Sequence, residues 1–267
     1  MMRVLLSLTA LLLASAPALA QDTEKPAPVP PAEMQAPEPD PEAEQSGRYD
    51  SCINQVELNP RAAIGVAEAW ENAGGGLPAG HCKALALLYS GEEEKAATLL
   101  VALAFSKPEP DIDLRADLLA QAGNAYLMAG RAAAAREALT NALGLRPDDP
   151  DLLIDRARAA AMEKNWPSAI ADLSRAYEIA PARADILVLR ASARKESGDA
   201  RGAKVDLDAA LDLAPNSTQA LFDRARLYLA SGNLEKARAD FLAVETAAPG
   251  TALADASKRE IEALDAR

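Results

Sequence analysis

An all-α solenoid is the fold class that this 267-residue chain predicts, on three observations. Pro147, Pro181, Pro215 and Pro249 lie 34 residues apart, and a fixed period of that length is the mark of stacked repeats. Small and large apolar residues recur in phase with the prolines at helical spacing. Gly130, Gly198 and Gly232 recur in the middle of the units, where a helix must end and another begin.

The elements follow in chain order. Residues 1–20 read as a secretory leader: Arg3, an apolar run from Val4 to Leu13, and Ala18-Leu19-Ala20 as the cleavage pattern before Gln21. An uncleaved anchor is the alternative, because the apolar run approaches spanning length. No cysteine follows the cleavage pattern, so a lipid anchor is not indicated. Residues 21–47 interleave Pro26, Pro28, Pro30, Pro31, Pro37, Pro39 and Pro41 with acidic residues. Proline denies a helix its hydrogen bonds and like charges extend the chain, so a disordered acidic linker is expected.

Residues 48–110 predict divergent helical units. Arg48–Leu58 and Pro60–Asn72 form one candidate helix pair, ending at Gly74-Gly75-Gly76. Residues 77–110 form another, with Gly91 at the turn and Ala96, Leu100 and Pro108 in the later slots. About five extra residues near Glu109-Pro110-Asp111 are expected to lengthen the connection to the next unit.

Residues 116–249 hold four regular units. The first helix of each carries Leu119, Leu153, Leu187 and Leu221, then Gly123, Ala157, Ala191 and Ala225 four residues on. That spacing puts both columns on one helical face, one filling the core and the other admitting a close partner. The second helix carries Ala135, Ala169, Ala203 and Ala237, then Leu139, Leu173, Leu207 and Phe241, then Ala142, Ala176, Ala210 and Val244. In the second unit Lys164-Asn165 takes the glycine's place, and Asn165 is expected to adopt the left-handed conformation. Residues 250–267 predict an amphipathic capping helix that covers the last repeat.

Arg156, Arg190 and Arg224 also recur every 34 residues, as do Asp172, Asp206 and Asp240; the first unit has Ala122 and Ala138 in both slots. Residue types that appear and vanish together predict an ion pair, within a unit or between neighbours. A functional arginine ladder is the alternative.

The formal charge is −12, and one unit more negative without Arg3. That argues against nucleic acid and against electrostatic membrane binding, and no apolar stretch after residue 20 would span a bilayer. Two cysteines in an exported chain predict a Cys52–Cys82 disulfide. Its loop of about thirty residues would be worth roughly 3–4 kcal/mol in the chain-entropy model. His81 is adjacent to Cys82, and neighbours on a helix point about 100° apart, so thiol activation is disfavoured. A single histidine excludes a multi-histidine metal site, and neither cofactor nor metal is expected. No glycine-rich phosphate loop, CxxC pair or Ser-His-Asp set is present, so no catalytic residue is assigned.

The leucine, glycine or alanine, tyrosine, alanine and proline columns over residues 116–249 make the chain resemble the tetratricopeptide repeat family. The tyrosine column varies, reading Tyr126, Ala160, Arg194 and Tyr228. The resemblance implies a right-handed superhelical solenoid of helix–turn–helix repeats whose concave side is lined by the first helices. It also implies a protein or peptide partner. One groove column would be Asn124, Arg158, Ser192 and Arg226; the next would be Ala120, Ile154, Val188 and Phe222, with Met128 and Met162 a turn further on. These would hold an extended peptide with an acidic group. Alternatively, the apolar members pack against neighbouring helices and the arginines pair with surface acids. Ala120 and Asp155 stand where the family's carboxylate clamp needs Lys and Asn, which argues against capture of a chain terminus.

The expected function is non-catalytic protein binding or scaffolding in a bacterial cell envelope, with the periplasm as the compartment. A holder of exported clients and an envelope enzyme with an acidic site are the alternatives. Partner identity and oligomeric state are not specified by the residues.

Overall fold

The computed structural model describes residues 41–266, and among them are 13 helices and no strand. The expected leader and most of the expected linker lie outside the described residues. The helices pair as α1 (Pro41–Leu58) with α2 (Pro60–Asn72), and α3 (Gly76–Tyr89) with α4 (Glu93–Ala104). The pairs α5 (Ile112–Met128) with α6 (Ala132–Leu145), and α7 (Pro150–Met162) with α8 (Trp166–Ile179), follow. Next come α9 (Ala184–Glu196) with α10 (Ala200–Leu213), α11 (Thr218–Ala230) with α12 (Leu234–Ala247), and the single α13 (Ala252–Asp265). The order is that of an α-solenoid.

Helix starts are written in the sequence. The side chains of Asp111, Asp149, Asn165, Asp199, Ser217, Asn233 and Thr251 each accept a backbone N–H of the first turn of the helix they open. Each satisfies a donor that has no partner within the helix. Gly130, Gly198 and Gly232 lie at φ +71°, +90° and +78°, the left-handed turn that L-residues disfavour. In the second unit the left-handed residue is Lys164, at φ +58°, and not Asn165 as expected. Lys164 is the residue in register with the glycines, whereas Asn165 is in register with Asp199 and Asn233 and caps α8. The cap contact outweighs the conformational preference of asparagine.

Two boundaries also differ. Residues 41–47, expected as linker, form the first turns of α1, where Pro41 occupies a start position and Glu44 pairs with Arg48 one turn on at 2.7 Å. The extra residues before the third pair partly extend a helix: α5 is 17 residues long against 13 in α7, α9 and α11, because Asp111 caps it a turn early.

The core columns are buried as expected. Leu119, Leu153, Leu187, Leu139, Leu173, Leu207 and Phe241 are at most 3 % exposed. A Cβ on Gly123 would sit 2.5 Å from Leu139 Cγ, so that slot takes glycine because α5 and α6 approach closely. In α13, Ala254, Ser257 and Ile261 face the last repeat, while Leu253, Ala256 and Leu264 are half-buried and Asp255, Lys258, Arg259 and Glu262 are exposed. That charged outer face closes the stack.

The ion-pair columns are interhelical forks within each unit. Arg156 donates to both oxygens of Asp172 at 2.8 and 2.6 Å, Arg190 to those of Asp206 at 2.9 and 2.6 Å, and Arg224 to those of Asp240 at 2.8 and 2.9 Å. The remaining nitrogen reaches the second helix of the preceding unit: Thr140 at 3.5 Å, Ser174 at 3.3 Å and Asp208 at 2.9 Å. Each arginine therefore ties three helices together. Asp206, 2 % exposed, takes a second cation, Arg194, at 2.9 Å. In the first unit Ala122 and Ala138 are buried in the two slots.

Cys52 and Cys82 are bonded, joining α1 to α3 with a Cα–Cα distance of 6.2 Å. Val56, Ala63, Ala67, Trp70 and Ala79 pack around the bridge, so it closes the N-terminal end of the stack.

The bridge and the forks make this architecture testable. Under native conditions the purified protein should take up no alkylating reagent until reduced, as read by intact mass; two reactive thiols before reduction would contradict the bridge. Arg224→Ala should lower stability by about 1–3 kcal/mol in urea unfolding, because Asp240 stays buried without its fork. Arg190→Ala should cost less, since Arg194 remains on Asp206. Pairing Arg224→Ala with Asp240→Ala should recover part of the loss, and strictly additive losses would mean no coupling.

A further prediction concerns acid. A hydrogen bond from Arg183 holds the Asp185 carboxyl below its usual range. Burial pushes Asp208 up, but hydrogen bonds from Lys204 and Arg224 outweigh it and hold this carboxyl down as well. Both are stronger acids folded than unfolded. Their stabilisation is complete above the unfolded value of about 3.9 and is lost as pH falls through the lower folded values. Asp185→Asn with Asp208→Asn should flatten the acid limb of urea midpoints below about pH 4 and leave the slope between about pH 5 and pH 7 unchanged. An unaltered acid limb would sink this assignment.

Candidate functional site

First helices meet the first helices of adjacent units: α1 touches α3, α5 touches α7, α9 touches α11, and α11 touches α13. They line one side of the stack and carry every residue of the expected groove. Asn124 stands on α5, Ile154 and Arg158 on α7, Val188 and Ser192 on α9, and Phe222 and Arg226 on α11. The column Asn124, Arg158, Ser192 and Arg226 is exposed throughout.

The neighbouring column divides. Ile154 is 3 % exposed, and Val188 and Phe222 are half-buried against the core that joins the third and fourth units. The Phe222 ring meets Phe241 edge-on at 5.5 Å. Packing between units accounts for Val188 and Phe222.

Asp155 organises the polar column. It accepts a hydrogen bond from Asn124 Nδ2 at 2.8 Å and from Arg158 Nη1 at 2.7 Å, joining α5 to α7. Its side chain is 13 % exposed, whereas that of Arg158 is 55 % exposed. Asp155 thus fixes the root of the guanidinium contact while the rest of the fork faces outward. Arg226 has no hydrogen-bond or ion-pair partner among the described residues.

A cavity of about 90 Å³ opens between α7, α8 and α9. Its floor is apolar, formed by Ile154, Leu173 and Leu189, and Arg158 and Ser192 contribute polar groups to its lining. Three expected groove residues, Ile154, Arg158 and Ser192, therefore share one cavity, and Asn124, Val188, Phe222 and Arg226 lie outside it. Trp166 forms a wall that sequence reasoning missed. The signal was present: the first position of the second helix reads Ala132, Trp166, Ala200 and Leu234, so the tryptophan breaks the column beside the cavity.

Both cysteines are bonded to each other. His81 Nε2 lies 2.8 Å from Gln121 Oε1 and Nδ1 lies 2.7 Å from the Tyr49 hydroxyl. The Gln121 carbonyl oxygen only accepts, so Nε2 donates and Nδ1 accepts from tyrosine. Among the described residues no group of three or more His, Cys, Asp or Glu side chains is arranged to hold a metal, and no helix is long and apolar enough to cross a membrane.

Two family models, both described as tetratricopeptide repeat, match residues 120–184 and 194–261. Solved structures share the fold. A crystal structure of MamA is 16 % identical with a TM-score of 0.55, covering 66 % of this chain and 96 % of that one. YrrB is 19 % identical with a TM-score of 0.52, covering 72 % and 96 %. TTC0263, a thermophilic repeat protein from Thermus thermophilus, is 18 % identical with a TM-score of 0.52, covering 69 % and 96 %. No curated protein matches the chain. With the 34-residue columns, the paired helices and two family models in agreement, the chain belongs to the tetratricopeptide repeat proteins, a family of protein-interaction modules.

Proposed function

We propose that this protein is an exported, non-catalytic scaffold of the bacterial cell envelope that binds an extended polypeptide along its first helices. The observation that carries the reading is the cavity between α7, α8 and α9, apolar at its floor and cationic at its rim. Such a cavity suits one aliphatic side chain, with an acidic neighbour on the peptide meeting the outward edge of Arg158. YrrB, which shares the fold, is described as having an unusual peptide-binding site, and that supports a peptide as the ligand class.

Export rests on the leader pattern of residues 1–20. The Cys52–Cys82 bridge supports the same compartment, since disulfides persist where the surroundings are oxidising. The acidic charge of −12 supports a protein partner over nucleic acid.

The test is binding to an array of peptides that pair an aliphatic residue with a flanking Asp or Glu. Ser192→Trp should fill the mouth of the cavity. Arg158→Glu should reverse the charge at its rim, and Arg226→Glu with it extends the reversal along the exposed column of first-helix residues. All three positions are exposed, so melting should change little. Peptide affinity should fall at least about tenfold in each variant, a loss of roughly 1.4 kcal/mol, and binding to the parent should weaken with added salt. Folded variants that bind the same peptides undiminished would remove this cavity from consideration.

A further inference from the structure

Tyr228 stands on α11 where that helix packs between α10 and α12, and three cations gather at its ring. The Lys204 ammonium of α10 and the Lys236 ammonium of α12 each lie 5.5 Å from the ring centroid, and the Arg224 guanidinium lies at 5.9 Å. Arg224 is fully engaged by Asp240 and Asp208, and Lys204 donates to Asp208 at 2.6 Å. Lys236 is exposed and its ammonium has no ion-pair partner among the described residues. Its neighbour Glu235 points about 100° away around α12. Three cations thus share two carboxylates, which leaves a positive charge unmatched in a chain whose net charge is −12.

The hydrogen-bonding groups at the ring have one sense. The hydrogen bond to Asp208 raises the Lys204 pKa against burial, and contact with the Tyr228 hydroxyl raises it further. An ammonium only donates, so the phenol oxygen accepts from Lys204 and its own O–H is left to donate. No described side chain accepts from that hydroxyl. Tyr228, Lys204 and Lys236 therefore offer donors from three helices and no free acceptor. The repeat does not require this. In the register of Lys236 the earlier units have Gly202, Ser168 and Ala134, and in that of Tyr228 they have Arg194, Ala160 and Tyr126. The Tyr126 hydroxyl is engaged by Thr98 Oγ1 at 3.3 Å. A second ammonium at one ring adds repulsion unless an anion joins it.

We propose that Tyr228, Lys204 and Lys236 form a binding site for a phosphate group in the cleft between α10 and α12. A tetrahedral group turns separate oxygens toward donors on different sides, and lysine meets it as a point charge without a fixed geometry. Arg226 and Tyr228, two positions apart, point about 200° apart around α11, so this site is independent of the peptide side of the stack.

Inorganic phosphate, titrated into the isotope-labelled protein at constant ionic strength, is the probe, with acetate and glycerol phosphate in parallel arms. The NMR amide signals of Lys204, Tyr228 and Lys236 should shift saturably with a dissociation constant of about a millimolar, while those of α2 to α4 stay fixed. Tyr228→Phe keeps the ring that packs beside Phe241 and should weaken binding several-fold. Lys236→Gln, at an exposed position, should weaken it about tenfold without altering the melt. Lys258→Gln, on the exposed face of α13, should leave binding unchanged. Glycerol phosphate that binds as well as phosphate supports the site and assigns it to a phosphoryl group on a larger molecule; binding of inorganic phosphate alone supports it and assigns the free ion. Acetate that binds equally well overturns the phosphate assignment. The proposal is also overturned by the absence of a saturable shift at these amides, by shifts shared among lysines throughout the chain, or by undiminished binding in folded Tyr228→Phe and Lys236→Gln.

Discussion

Two helices can approach each other only as closely as the side chains between them permit, and the rest of this structure depends on that approach. Gly123, Ala157, Ala191 and Ala225 on the first helices, and Ala135, Ala169, Ala203 and Ala237 on the second, keep each pair close. Into the space left beside them fit Leu119, Leu153, Leu139, Leu173 and their counterparts, each fully buried leucine being worth about 1.5–3 kcal/mol over exposure. Because the same slots recur every 34 residues, each unit meets the next as it meets the last. The side of the stack that the first helices form is a by-product of this regularity.

Close packing of alanine and leucine specifies distance better than it specifies rotation, since small apolar surfaces slide. The arginine–aspartate forks supply the missing direction. A guanidinium bonded to two oxygens of Asp172, Asp206 or Asp240 tolerates one relative placement of the helices, and its third contact sets the preceding unit as well. The first regular unit does without the fork, with buried Ala122 and Ala138 in its place. Its position between two other pairs, and the glycine that lets α5 and α6 close on Leu139, compensate. At the ends, where a stack has a neighbour on one side only, the devices differ: a disulfide joins α1 to α3, and α13 presents a charged outer face.

The side available to a partner is polar in a patterned way. Asp155 binds Asn124 and Arg158 together, so a feature that reads as a free cation in the sequence is half engaged in the fold. What stays available is the outer edge of Arg158 above an apolar floor. Val188 and Phe222, one step further along, are taken up by the core instead. Trp166 walls the cavity below it, the one bulky aromatic in a column otherwise held by Ala132, Ala200 and Leu234.

The sequence by itself determined the period, the helix pairing, the core columns, the turns and the partnership of Arg156, Arg190 and Arg224 with their aspartates. These are legible because each is repeated, and repetition separates a structural requirement from chance. It also determined the disulfide, since only two cysteines exist to form one. The tertiary structure decided what happens once and what depends on neighbours. Lys164 took the left-handed turn because Asn165 was needed as a cap, a competition between two adjacent residues that propensities alone do not rank. Arg194 joined Asp206 because a slot that elsewhere holds tyrosine or alanine faces the fork, which only the packing of α9 on α10 reveals. The columns of Thr140, Ser174 and Asp208 share no chemistry beyond a side-chain oxygen, so their common role as the third arginine contact emerges only when three helices meet.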